Sequence, residues 1–112
     1  MYKVNFYTPR GRASPIKKFL DSCQPKLRVK ILRQLKYVEE YGLNPAIPNI
    51  RKITKTPFWE LRILGRDNIR IICTPLSGKE VKVLHIFRKK KQKTPTKEIN
   101  IALKRHQEVL DK

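Results

Sequence analysis

The sequence has 112 residues, enough for one domain with a modest core and too few for two independent ones, so residues 1–112 are expected to form a single unit. Twenty-seven Lys and Arg against nine Asp and Glu leave a net charge of +18, which argues against an enzyme of neutral small molecules and for a polyanionic or acidic partner. With 39% hydrophobic residues at regular periods the chain should fold, and no stretch approaches the ~18 apolar residues of a spanning helix or the order of a secretory signal, so a cytoplasmic protein without a membrane partner is expected.

Residues Tyr2 to Thr8 alternate as a first strand, with Tyr2, Val4 and Phe6 on one side. Ser14-Pro15 reads as the cap and first position of a helix carrying Ile16, Phe19 and Leu20 to about Ser22. Pro25 opens a longer helix whose stripe is Leu27, Ile31, Leu35 and Val38, with Gly42 as the stop. Its outer cations, Lys26, Arg28, Lys30, Arg33 and Lys36, form either a solvated face or an RNA contact. Pro45, Pro48 and Pro57 bracket a connector in which Ile50, Lys52 and Ile53 allow at most a short edge strand.

From Phe58 the period becomes two. Trp59, Leu61 and Ile63 alternate with Glu60, Arg62 and Leu64, Gly65 to Asn68 turns the chain, and Ile69 to Cys73 returns it. A second turn over Pro75 to Lys79 leads to a strand from Val81 to Phe87. Then come five cations in the six residues Arg88 to Lys93, and Thr94-Pro95 starts a last helix with Ile99, Ala102, Leu103, His106 and Leu110 on one face. The predicted fold is α+β: an N-terminal strand and two helices packed on an antiparallel sheet of three or four strands, plus a C-terminal helix.

Cys23 and Cys73, with His85 and His106, have no zinc-ligand spacing, so no metal or other cofactor is expected. Cys73 reads as a buried hydrophobe and His106 as a packing residue.

Residues 41–97 hold fourteen Lys and Arg against Glu60, Asp67 and Glu80, making the sheet half the more basic. Pairing Leu61 with Ile71 and Ile63 with Ile69 keeps the apolar side chains together and sets Arg62 directly opposite Arg70. Carried onward, Ile71 with Val83 and Ile69 with His85 would leave Lys82, Leu84, Ile86 and Arg88 on the arginine side, with His85 and Trp59 in the core. Like charges facing each other destabilise a sheet by up to about 1 kcal/mol. Two readings remain open: a phosphodiester completes the arginines, or both point into water around Glu60.

The ordered set Trp59-Glu60-Leu61-Arg62-Ile63, Arg70-Ile71, His85-Ile86-Phe87, Lys89-Lys90, Gln92-Lys93-Thr94-Pro95, Glu98-Ile99 and Ala102 resembles the HigB branch of the RelE-type toxins, including phage-derived relatives. The resemblance implies a ribosome-dependent mRNA endonuclease (mRNA interferase) acting on mRNA in the ribosomal A site. It also implies a HigA-like helix-turn-helix antitoxin as partner. In that chemistry a ribose 2′-hydroxyl attacks the adjacent phosphodiester and expels the 5′-oxygen, with no metal.

On this resemblance Arg62 and Arg70 stabilise transition-state charge, while Lys89 and Lys90 bind flanking phosphates or assist proton transfer. Lys52, Lys82, Arg88, Lys91 and Lys93 are the expected further RNA contacts. The chain departs from RelE proper in having no tyrosine after Tyr41, which leaves the general acid unassigned; Glu60 either accepts the 2′-hydroxyl proton or orients the arginines. The rival readings are a non-catalytic RNA- or ribosome-binding protein derived from such a toxin and, less well matched for want of a helix-turn-helix pair, a DNA-binding regulator.

Overall fold

A computed structural model describes residues 1–90 and 95–111. The element order is β1 (Lys3–Phe6), α1 (Pro15–Ser22), α2 (Pro25–Tyr41), β2 (Ile50–Lys52), β3 (Trp59–Ile63), β4 (Ile69–Leu76), β5 (Glu80–Arg88) and α3 (Thr96–Leu110). The five strands form one sheet in the order β1-β5-β4-β3-β2, antiparallel except for β1, which runs parallel to β5. The sheet is thus wider than predicted, because both the N-terminal strand and the connector strand join it.

The first two helices form where caps and stripe agree. Ser14 Oγ accepts from the Lys17 amide at 3.3 Å, and Pro15 occupies the first turn, where its missing N–H is not needed. The Arg28 side chain donates to the carbonyls of Leu20, Asp21 and Cys23 at 2.9–3.1 Å, satisfying groups that the end of α1 leaves open. Gly42 ends α2 at φ +75°, and a Cβ there would lie 2.6 Å from the Tyr2 ring, so glycine is required by both backbone and packing.

Alternation along the strands divides the sheet into two faces. Leu61, Ile63, Ile69, Ile71, Val83 and Ile86 are buried on the first, together with the stripe Leu27, Ile31, Leu35 and Val38 of α2. Each such side chain contributes about 1.5–3 kcal/mol of burial before entropy is counted. Phe58, Glu60, Arg62, Arg70, Ile72, His85, Phe87 and Lys89 share the second face, over part of which α3 lies.

The first hairpin has the predicted register: Leu61 faces Ile71, Arg62 faces Arg70 and Ile63 faces Ile69. The second does not. Ile71 faces Ile86 and Ile69 faces Arg88, with a bulge between Ile72 and Cys73 that leaves Leu84 without an opposite residue. Pro75, expected in the turn, continues β4 opposite Val81, beyond the point where β3 ends at Trp59 opposite Cys73. A proline is tolerated there because that flank of β4 has no ladder to lose. Consequently His85 moves to the arginine face, while Ile86 and Arg88 move to the helix-covered face; Lys82 keeps its expected side.

Helix α3 differs in its inner face. Ala102 is buried and His106 turns toward the sheet as expected, but Leu103 and Leu110 point to solvent, and Glu98 and Arg105 reach the sheet instead. The predicted cap Thr94 lies outside the described residues.

Candidate active site

Strands β2, β3 and β4 and the residue after β5 bring four cations around one carboxylate. Glu60 is completely buried, and its Oε1 accepts from Arg51 Nε at 3.0 Å and lies 3.8 Å from Arg70 Nε. Arg51 is opposite Glu60 across the β2–β3 ladder, and Arg62 is opposite Arg70 across the next. Lys89 follows β5. Its backbone is held by Asn68, whose carbonyl accepts the Lys89 amide at 2.9 Å and whose Nδ2 donates to the Lys89 carbonyl at 2.7 Å. Asn68 makes this clamp from the β3–β4 turn at φ +51°, a conformation asparagine tolerates better than most residues.

The cluster has two tiers. Arg51 and Arg62 are exposed, whereas Arg70 is 4% and Lys89 7% exposed. Arg70 Nη1 donates to the Ile69 carbonyl at 3.1 Å, but its buried Nε has no hydrogen bond. Burial, and then the cations Arg70, Arg51 and Arg62 against the opposing pull of Glu60, hold the Lys89 ammonium below the ordinary lysine range. Burial followed by the Arg62 charge also lowers Arg70, which as a guanidinium remains charged. The open tier can take a phosphate, and the buried tier supplies field and an amine more readily deprotonated than a free lysine.

The expected residues do not all meet here. Arg62, Arg70 and Lys89 converge, and the exposed Lys90 follows at the strand end. Arg88 emerges on the opposite face, bonded to Asp67 Oδ1 at 2.6 Å and 5.9 Å from the Phe19 ring. Lys52 shares the pleat side of Trp59, and its ammonium donates to the Thr56 carbonyl. Lys82 lies far along β5, opposite Thr74 and 3.4 Å from Glu80. Lys91 and Lys93 lie outside the described residues. Arg51 was missed, although alternation outward from the inward-facing Ile50 would have placed it beside Glu60.

His85 is not in the core expected for it, nor is it free for acid catalysis. Nε2 lies 2.9 Å from Glu98 Oε1 and Nδ1 3.2 Å from Arg105 Nη1, and the ring stacks on Phe87 at 5.2 Å. Arginine can only donate, so Nδ1 accepts and Nε2–H donates to Glu98, which assigns a neutral ring. Burial lowers the His85 pKa, with Arg105 adding to the effect and Glu98 opposing it. Trp59 is half-buried against the core, and His106 meets Phe58 edge-on at 5.3 Å, both as packing residues. Cys23 and Cys73 are free and buried thiols whose pKa values burial raises.

The family model described as phage-derived Gp49-like protein matches residues 18–107. No curated protein matches the chain at a significant level. Among solved structures, the chain is similar to an arginine-to-alanine double mutant of the E. coli toxin RelE in the free state, at 19% identity and a TM-score of 0.65. That match covers 93% of this chain and 96% of the other, so the RelE-type architecture extends over nearly all of both.

Proposed function

The chain belongs to the phage-derived Gp49-like family, and from that premise and the strand-end cluster we propose that it is the toxin of a toxin–antitoxin pair, a ribosome-dependent mRNA endonuclease. The single observation that carries the reading is four cations gathered around one buried carboxylate, with the Lys89 amine poised below its ordinary pKa. A phosphodiester seated on Arg62 and Arg51 completes that excess of charge. Arg70 acts from beneath as a fixed positive field rather than as a direct ligand, since its guanidinium is anchored by Nη1 on the Ile69 carbonyl and lies against Glu60.

In the proposed reaction neutral Lys89 accepts the proton of the ribose 2′-hydroxyl as its oxygen attacks phosphorus; the bond to the 5′-oxygen breaks with its electron pair on that oxygen, which takes a proton from water and departs as a 5′-hydroxyl, leaving a 2′,3′-cyclic phosphate. Glu60 orients Arg51 and Arg70. Lys90 binds a flanking phosphate. The HigB branch, a HigA-like helix-turn-helix antitoxin, cytoplasmic action on mRNA in the ribosomal A site, and one domain spanning residues 1–112 belong to the same proposal. No helix among the described residues is long and apolar enough to cross a membrane.

Primer extension on mRNA with translating ribosomes tests the proposal. New 5′ ends are expected with the native protein. They should fall by about a hundredfold in Lys89→Ala, the usual contribution of a general base, and disappear in Arg62→Ala/Lys89→Ala. The native rate should rise with pH through the depressed Lys89 pKa, below 10.5, and this limb should vanish in Lys89→Ala. Undiminished cleavage by the double variant overturns the site. Ribosome binding without any new 5′ end supports the second reading, a non-catalytic ribosome-binding derivative, which the burial of Arg70 and the unassigned general acid favour.

A further inference from the structure

On the other edge of the sheet an open cleft of about 790 Å³ separates the segment after β1 from the start of α1 and the end of α3. Arg10, Arg12, Lys18 and Arg105 line it, together with Glu108 and Asp111. The two carboxylates are already engaged: Glu108 accepts from the Tyr7 hydroxyl, and Asp111 Oδ1 accepts from Gln107 Nε2 at 3.0 Å. Arg105 is tied to the Leu84 carbonyl at 2.9 Å and lies 5.1 Å from the Tyr7 ring centroid. Arg10, Arg12 and Lys18 are exposed and form no ion pair among the described residues.

The segment carrying these cations is pinned. Ser14 Oγ donates to the Tyr7 carbonyl at 2.8 Å, closing the excursion at its base. The Arg12 amide donates to the Pro9 carbonyl at 3.1 Å across a turn whose third residue, Gly11, has φ +72°, as a type II turn requires. Arg10, Arg12, Lys18 and Arg105 outnumber the two carboxylates of the cleft, Glu108 and Asp111, and three of the four stand on a fixed framework without an ion pair among the described residues, so an anion gains affinity without first ordering the loop. A second cleft of about 430 Å³ shares Tyr7 and Thr8 with the first and is lined by Lys82. The two adjoin as a groove along the β1 edge, a shape that suits a polymer better than a single small anion.

We propose that this β1-edge groove is a second binding site, which holds an RNA phosphodiester backbone through Arg10, Arg12 and Lys18 while the Glu60 cluster engages the strand to be cut. The choice of RNA over an acidic polypeptide rests on the function proposed above. The site is separable from it, because binding is measured without cleavage.

The test compares the native protein with Arg10→Ala/Arg12→Ala/Lys18→Ala, using fluorescence anisotropy on a single-stranded RNA of about 12 nucleotides and sedimentation with purified ribosomes. Loss of three phosphate contacts should reduce the slope of log affinity against log salt by about 2 on single-stranded RNA. A reduced slope on the oligonucleotide assigns the groove to messenger-like RNA. Weakening by about tenfold or more on ribosomes alone assigns it to structured RNA. Either result supports the proposal, even if no RNA is ever cut. Unchanged slope and affinity on both overturn it, as does a loss confined to polyglutamate binding, which would make the groove a protein-docking surface.

Discussion

The two faces of the sheet bury similar numbers of side chains by different means. Beneath α1 and α2 lie Leu61, Ile63, Ile69 and Ile71, which need only shape and dryness. On the other face Glu60, Arg70, His85 and Lys89 are also withdrawn from water, but each depends on a partner of defined charge and direction. Replacing buried ion pairs with packed hydrophobes is often neutral or stabilising. The second face therefore maintains an arrangement that stability alone would not select, while the first supports it.

Truncation should separate the faces most clearly. Ile71→Ala removes a fully buried side chain and should destabilise the protein by about 2–5 kcal/mol in denaturant unfolding, whatever anion is present. Glu60→Gln leaves Arg70 and Lys89 without their carboxylate. It should lower stability by about 2 kcal/mol, less than the ~3–5 kcal/mol for a broken fully buried pair, because Arg51 is 55% exposed and relaxes into water. Added phosphate should restore part of the Glu60→Gln loss by binding the folded state, and none of the Ile71→Ala loss. Equal insensitivity to phosphate in both variants would remove the distinction between the faces.

How much of each face was legible follows from the same contrast. The apolar face could be read because a single pairing unites Leu61, Ile63, Ile69 and Ile71, and that pairing set Arg62 opposite Arg70. It could not reveal that Arg70 is buried, since its cover comes from the neighbouring strands, which bring Arg51 and Lys89 alongside. The bulge between Ile72 and Cys73 leaves no mark in the alternation, and Pro75 resembled a turn residue, so His85 and Arg88 were assigned to the wrong faces. Likewise, hydrophobic spacing selected Leu103 and Leu110 for the inner side of α3. The sheet beneath offers His85 and the Leu84 carbonyl, and Glu98 and Arg105 answer those instead.

The polar attachment of α3 should make stability sensitive to acid. The His85 pKa is lowered in the folded state, so between that value and the ordinary 6.5 the unfolded chain binds more protons. Stability contributed by neutral His85 is complete above 6.5 and falls as pH drops toward the folded pKa, below which no further loss arises from this group. Protonation places an N–H where Nδ1 accepts from Arg105, and the groups facing the ring from α3 are Arg105 and Glu98. His85→Gln should flatten the fall in the midpoint of thermal unfolding as pH drops below 6.5, relative to the native protein. An undiminished slope would assign the acid sensitivity to other groups.

The smallest expected effect tests the facial assignment itself. If Arg88 shared the face of Arg62, as the predicted register would have it, Arg88→Ala should weaken RNA binding and reduce cleavage. On the helix-covered face its guanidinium instead bonds Asp67 and lies over Phe19, with about half of the side chain in water. An exposed pair of this kind contributes at most about 1 kcal/mol. Arg88→Ala should therefore shift the unfolding midpoint slightly and leave both the RNA salt slope and primer-extension products unchanged. The matched Arg62→Ala should have the inverse profile, with stability nearly unaltered and cleavage reduced. A common loss of cleavage would return Arg88 to the arginine side and require the β4–β5 register to differ from the one the bulge produces.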